Sequence, residues 1–147
     1  MTATYYPNAA TIYKFWLGAG FTPAQSAGLL AQADAESSLD VKAVGDHDQA
    51  FGLDQWHASR CDAIRNGCGV DLKKLPVLAD QLKAALWELQ HTEKGALAKI
   101  RAAQSAYDAG YAACRYWERP GSTLQYGKRG SRAEWWATYF SKHPVAP

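Results

Sequence analysis

The sequence predicts a mainly α-helical domain of six or seven helices, with one small β-hairpin inserted after the second. Three observations carry this reading. Apolar residues recur at helical spacing over most of the 147 residues, and helix start and stop signals punctuate those runs. The period changes to two only once, where Phe51, Leu53 and Gln55 alternate with Gly52 and Asp54. No linker, repeat or low-complexity run divides the chain, so residues 1–147 read as a single domain, long enough to bury about two-thirds of its unfolded surface.

In order, Asn8 is a candidate N-cap for a short packing helix through Ile12, Phe15 and Trp16, stopped at Gly18 and Gly20. Thr22-Pro23-Ala24-Gln25 is a second start: Thr22 caps, Pro23 suits the first helical position, and Gln25 completes a capping box. That helix runs to Glu36 or Ser37. Leu29, Ala33 and Glu36 fall at i, i+4 and i+7 and share a face. A carboxyl group thus ends an apolar stripe at the negative end of a helix dipole. Both features disfavour the anion, as a general acid requires, although a solvated glutamate at a frayed end has the same signature.

Residues 40–50 read as a loop or hairpin turn carrying Asp46-His47-Asp48, and 51–55 as a strand. His57 to Arg65 is a short helix ended by Asn66-Gly67, and 69–76 is a loop. Val77 to Gln90 has the strongest amphipathic pattern, with Leu78, Leu82, Ala85, Leu86 and Leu89 on one stripe and Trp87 and Glu88 off it, and reads as the central core helix. After a break at Thr92–Gly95, one helix passes through Leu97, Ile100 and Ala103. Another starts at Ser105, carries Tyr107, Tyr111, Cys114 and Trp117, and ends at Pro120-Gly121. Residues 122–130 read as a polar, glycine-containing loop, mobile unless tied to the body. A last helix, Ser131 to Phe140, precedes a frayed tail from His143 to Pro147.

Composition excludes some functions. The formal net charge is +2 and no basic block stands out beyond Lys128-Arg129 and Arg132, so nucleic-acid binding is not implied. The N-terminus lacks a basic run followed by an apolar core, and no stretch is apolar enough to span a bilayer. The chain therefore reads as neither a classical secreted precursor nor a membrane protein, and action outside the cytoplasm would need another delivery route. Six tryptophans and eight tyrosines suit either a carbohydrate groove or an aromatic core. Cys61 and Cys68 are close enough to close a small loop, which leaves a disulfide or free thiols open.

Most chemical motifs fail. There is no G-x-S-x-G, and no phosphate-cradling glycine loop. His57, His91 and His143 match no defended spacing to Cys61 or Cys114. Asp46 and Asp48 fit the first two positions of a calcium loop, but Ala50 and His57 occupy later ligand positions. His47 has no partner spacing for a metal, so no cofactor or metal is implied. What remains is a set of carboxylates. Glu36 lies ten to twelve residues before Asp46 and Asp48, and a hairpin of that length can fold its acids back towards the helix end. Glycoside cleavage uses such a pair, one protonating the leaving oxygen and one serving water or the cation, about 5 to 9.5 Å apart.

Ala35-Glu36-Ser37-Ser38-Leu39-Asp40, then Gly45-Asp46 and the run Ala50 to Arg60 (A-F-G-L-D-Q-W-H-A-S-R), resembles the phage tail lysozyme family, within the wider group of goose-type lysozymes and lytic transglycosylases. Asp80-Gln81-Leu82 with Trp87-Glu88-Leu89 resembles its central helix. Tyr116-Trp117-Glu118-Arg119-Pro120, with Arg129 and Arg132-Ala133, resembles its C-terminal motif. The resemblance covers about residues 23–140. It implies a lysozyme-like helical fold with the hairpin beside the active-site cleft, and a muramidase cutting the β-1,4 bond between N-acetylmuramic acid and N-acetylglucosamine. By position, Glu36 matches the general acid and Asp46 the hairpin acid that orients water, with Asp48 the alternative. Gln55 and Trp56 match residues packing at the glycan cleft, and Tyr116 and Glu118 the motif closing it. His57 follows in the motif with its role open. Asp54 stands where small or apolar residues are common, and adds a further candidate cleft acid.

The expected partner is peptidoglycan, with other phage tail or lysis proteins as candidates, and neither nucleic acid nor membrane insertion is expected. The expected location is the virion, or the host cytoplasm before release, with action in the periplasm and cell wall. A lytic transglycosylase, a non-catalytic wall-binding relative and a cysteine peptidase are the rivals. Whether the chain serves as a tail component, a free endolysin or a bacterial effector stays open.

Overall fold

The computed structural model describes residues 6–146. They form two compact units, one made of the residues up to Gln32 and those from Gly95 on, the other of Ala33–Lys94.

In the first unit, α1 (Pro7–Gly18) begins one residue ahead of the expected cap. Pro7 takes the first turn, where its missing N–H costs nothing, and Tyr6 rather than Asn8 precedes the helix. Ala9, Ile12, Tyr13 and Trp16 form the buried stripe. The start of α2 (Pro23–Ser37) is the expected capping box: Thr22 N donates to Gln25 Oε1 and Gln25 N to Thr22 Oγ1, both at 3.1 Å. Gln25 Nε2 also donates to the carbonyls of Arg101 and Ala103, which ties α2 to the end of α5 (Lys94–Ala102). Residues 25–33 are buried without a break. This continuous burial in α2 contrasts with α4 below, which buries one face.

Ser105 caps α6 (Ala106–Ala112) by accepting from Asp108 N, and α6 continues as a wider π-helical turn, Ala113–Glu118. The largest departure from expectation follows. Residues 122–130 are not a loop, because α7 runs from Leu124 to Lys142. Gly127 and Gly130 look like breakers locally, but tertiary packing uses the missing side chain. A Cβ on Gly130 would lie 2.8 Å from the Tyr107 ring, and one on Gly110 would lie 2.5 Å from the Arg129 carbonyl. The two helices therefore cross at glycines. Above that crossing, α7 adds Trp136, Tyr139 and Phe140 to an aromatic cluster in which Tyr13 stacks on Phe140 at 4.2 Å.

The second unit holds a three-stranded antiparallel sheet in the order β1 (Val44–Gly45), β2 (Ala50–Phe51), β3 (Trp56–His57). The expected strand at 51–55 is thus split: Gly52 to Gln55 form a turn, with Gly52 at φ 75 and Gln55 at φ 51. The helix read as 57–65 is α3 (Ala58–Cys68), which runs past Asn66-Gly67 and stops at Gly69, at φ 81. The loop 69–76 contains a 3₁₀ turn, Leu72–Lys74, capped by Asp71. The helix read as Val77–Gln90 is α4 (Leu78–Gln90). Tail residue Pro147 lies outside the described residues. Among those described, no helix is long and apolar enough to cross a membrane.

The glycine crossing makes a paired prediction. Gly110→Ala meets backbone at 2.5 Å and should destabilise by about 1–3 kcal/mol, as overpacking does. Gly95→Ala, in the first turn of α5 with nothing within 4 Å, should stabilise by about 0.4–1 kcal/mol. Urea midpoints of the two variants check both signs.

Candidate active site

Glu36 stands, half-buried, in the last turn of α2, beyond the fully enclosed Leu29 and Ala33 of its stripe. The helix ends just after it. Ser38 and Leu39 both take left-handed backbone, φ 55 and 64, and Ser38 N and Leu39 N return to the carbonyls of Asp34 and Ala33. Glycine is the usual residue for such an exit, so this one is held at a cost of about 1 kcal/mol per residue. Ser37 Oγ donates to Ala33 O at 3.1 Å, and Asp40 Oδ1 accepts from Lys42 N, which turns the chain towards β1.

The β1–β2 connection is the Asp46-His47-Asp48 turn. All three residues are left-handed, at φ 51, 55 and 66. Asp and His accept that region better than most non-glycine residues, so the composition suits the geometry. Gln49 N closes the turn on the carbonyls of Gly45 and Asp46. The three side chains are exposed. Asp46 Oδ2 lies 3.3 Å from Nε2 of His57, which faces it from β3. Asp48 and His57, with Phe51, Ser59 and Lys73, line an open cavity of about 490 Å³.

Buried side chains hold the hairpin. Gln55 Nε2 donates to the carbonyls of Ala43 and Gly52, so its amide braces β1 against the β2–β3 turn. Gln81 of α4 is completely buried. Its Oε1 accepts from Leu53 N at 2.8 Å, and its Nε2 donates to Val41 O at 2.8 Å and Pro76 O at 2.7 Å. Gly52 lies directly above: a Cβ there would sit 2.6 Å from Gln81 Oε1. Trp56 is also completely buried, and its indole N–H donates to Glu88 Oε1 at 3.2 Å. Arg60 grips the same carboxylate with two nitrogens, at 2.8 and 2.7 Å. Glu88 is therefore the centre of a buried ion pair, where its sequence position suggested the outer edge of α4. The signal was present in the spacing: Gln81 and Glu88, seven apart, share one face of the helix.

Glu36, the acidic turn and the Gln55–His57 run all lie in the Ala33–Lys94 unit, and the sequence matches the phage tail lysozyme family over residues 7–140. The chain belongs to the phage tail lysozyme family. The match begins at residue 7 rather than near 23, so α1 is part of the family's domain. No curated protein matches the sequence. Membership makes the chain a lysozyme-like protein acting on the cell wall, and peptidoglycan is the substrate that the family implies.

Tyr116 and Glu118, the further candidates that the sequence suggests, lie in the other unit. Tyr116 and Glu118 are half-buried in the π-helical turn, with Lys99 and Arg115 over the Tyr116 ring. Trp117 between them is core. Arg119, at φ 51, ends the turn. Arg129 of the C-terminal motif is buried, and donates to Gln32 Oε1 at 3.0 Å while Gln32 Nε2 donates to the carbonyls of Gly28 and Gly110. Asp54 is buried in the β2–β3 turn. The tryptophans go mainly inwards: Trp16, Trp56, Trp117 and Trp136 are core, and Trp135 is the exposed one, with Arg132 over its ring and Tyr139 stacked on it. Among the described residues, no three His, Cys, Asp or Glu side chains gather as a metal ion would require.

The three cysteines are free thiols, so Cys61 and Cys68 are not bridged. Burial pushes the Cys61 thiol up to about 11, and nearby Lys73 and Arg60 offset only part of this. Its Sγ points at Trp56 O, 3.5 Å away. A thiol in this state is the opposite of an activated nucleophile, which argues against cysteine peptidase chemistry at this position.

Two outcomes follow. Glu88→Ala removes the carboxylate that the Arg60 guanidinium and the Trp56 N–H share, and should cost about 3 kcal/mol of stability in chemical denaturation. Iodoacetamide at pH 8 meets about one Cys61 thiolate in a thousand, so peptide mapping of the folded protein should find half-buried Cys68 modified and Cys61 intact. Earlier labelling of Cys61 would contradict the buried assignment.

Proposed function

We propose that the protein is a muramidase that hydrolyses the β-1,4 bond between N-acetylmuramic acid and N-acetylglucosamine in peptidoglycan. The observation that carries this reading is one compact unit holding Glu36 at a helix end and the acidic hairpin turn, in a chain of the phage tail lysozyme family. Glu36 is the general acid. It protonates the glycosidic oxygen as positive charge develops on the anomeric carbon of the departing bond. Asp46, in the hairpin turn, orients the water that completes the reaction, and Asp48 is the alternative residue for that role. Gln55 supports the site through the hairpin backbone it braces, and Trp56 through Glu88. Tyr116 and Glu118 contribute to binding the glycan. The protein acts at the bacterial wall, from a virion or after release from the host, alongside other phage tail or lysis proteins.

Zymography on purified peptidoglycan tests the assignment. Glu36→Gln keeps the shape of the side chain and removes the acid, so clearing should fall by about 10² or more. Equal clearing by variant and wild type would overturn the assignment of Glu36 as the general acid, whereas no clearing by either would mean a wall-binding protein without turnover. Mass spectrometry of the products should show reducing N-acetylmuramic ends. A 1,6-anhydro end would instead mean that the sugar's own hydroxyl attacks, which is transglycosylase chemistry.

A further inference from the structure

We infer that His57 is a positioning residue: its Nε2 holds the carboxylate of Asp46 in place, and it affects the reaction only through that carboxylate. The inference rests on the proposed water-orienting role of Asp46, and adds what fixes that group.

The backbone alone does not orient the Asp46 side chain. The bonds from Gln49 N close the turn, yet the side chain of Asp46 remains 60% exposed. An exposed aspartate samples several rotamers, whereas a group that aligns water must be held to within about 0.5 Å. The sheet supplies the missing constraint. Gly45 pairs with Ala50, and Ala50 pairs with His57, so His57 is in line with the residue just before Asp46, two strands across. Two strand spacings amount to roughly 9.6 Å, a gap that an imidazole from one side and a short carboxylate from the other can bridge. The observed separation is 3.3 Å.

His57 is well mounted for this task. Trp56, immediately before it, is fixed to Glu88, and α3 begins immediately after it. His57 is the residue at the N-cap position of α3, but its ring makes no capping bond to the helix. The backbone that carries the imidazole is therefore fixed, and the ring, itself 53% exposed, has Asp46 in reach. With Nε2 at 3.3 Å from Oδ2, the ring stands against one carboxylate oxygen and leaves Oδ1 for water. The ring also borders the cavity shared with Asp48 and Lys73, so direct contact with substrate is the competing role, and the test separates the two.

The test is a double-mutant cycle on soluble, uncross-linked glycan strands, with His57→Leu, Asp46→Asn and the pair. Asn keeps the left-handed backbone of the turn. His57→Leu should lower kcat about 2- to 5-fold, the loss of one solvent-exposed contact, with KM unchanged. In the Asp46→Asn background it should cause no further loss. His57→Gln, which keeps a donor of similar reach, should recover most of the rate. Thermal midpoints of the variants should match the wild type. A raised KM with unchanged kcat, independent losses that multiply in the pair, or a rate loss that follows a lowered midpoint would each overturn the role of His57 while leaving that of Asp46 standing. An Asp46→Asn protein as active as the wild type would overturn the reading of Asp46 and the role of His57 with it.

Discussion

The hairpin unit depends on the carboxamide of Gln81. One buried side chain supplies an acceptor to Leu53 N and two donors to the carbonyls of Val41 and Pro76, and so joins the segments before β1, after β2 and before α4. Each bond is worth about 1 kcal/mol net, but each backbone group left unpaired in the interior would cost about 1–3 kcal/mol. The asymmetry matters more than the sum. A carboxylate could not donate to Val41 and Pro76, and a leucine would strand three backbone groups at once. The amide must also approach the chain closely, and this is why residue 52 is a glycine: a Cβ would meet Gln81 Oε1 at 2.6 Å.

The same logic runs through the A-F-G-L-D-Q-W segment. Gly52 makes room for Gln81, Leu53 donates its N–H to it, Gln55 folds its amide onto Ala43 and Gly52, and Trp56 reaches Glu88. A run that reads as an active-site signature is, residue by residue, a set of instructions for building a hairpin. What it sets side by side are Asp46 in the turn and His57 at the end of β3, 3.3 Å apart. The other unit uses the same device. Gln32 satisfies the carbonyls of Gly28 and Gly110 and accepts from the buried Arg129, again at a place where glycine backbone comes close.

Local signals were legible where they act locally. The capping box at Thr22–Gln25 and the Ser105 cap stand in the structure as the sequence implies, and α4 is amphipathic as expected, but its buried face is turned towards Gln81 and Glu88, with Leu78 and Leu86 only half-buried. The misreadings have a common cause, since a distant contact decided each one. Gly127 and Gly130 look like a loop until Tyr107 occupies the space they leave. Glu88 lies off the apolar stripe in the sequence, yet Arg60 and Trp56 converge on it and bury it. Phe51 to Gln55 alternates like a strand, yet the buried Gln81 and the positive φ of Gly52 and Gln55 turn it into a corner. For the candidate site, the position of Glu36 at a helix end and the acidic turn could be read directly. The tie between Asp46 and His57 could not, because it follows from a register across three strands of two residues each.

The left-handed turn at residues 46–48 bears on how this sequence can drift. Three consecutive positive-φ positions without glycine exclude valine, isoleucine and threonine, and admit chiefly glycine, asparagine, aspartate and histidine. Apart from glycine, that short alphabet consists of side chains that accept hydrogen bonds. A lineage held to the shape of this turn would therefore keep polar acceptors on its outer surface without any selection on chemistry, and reactivity could be gained or lost there by exchange of a single amide for an acid.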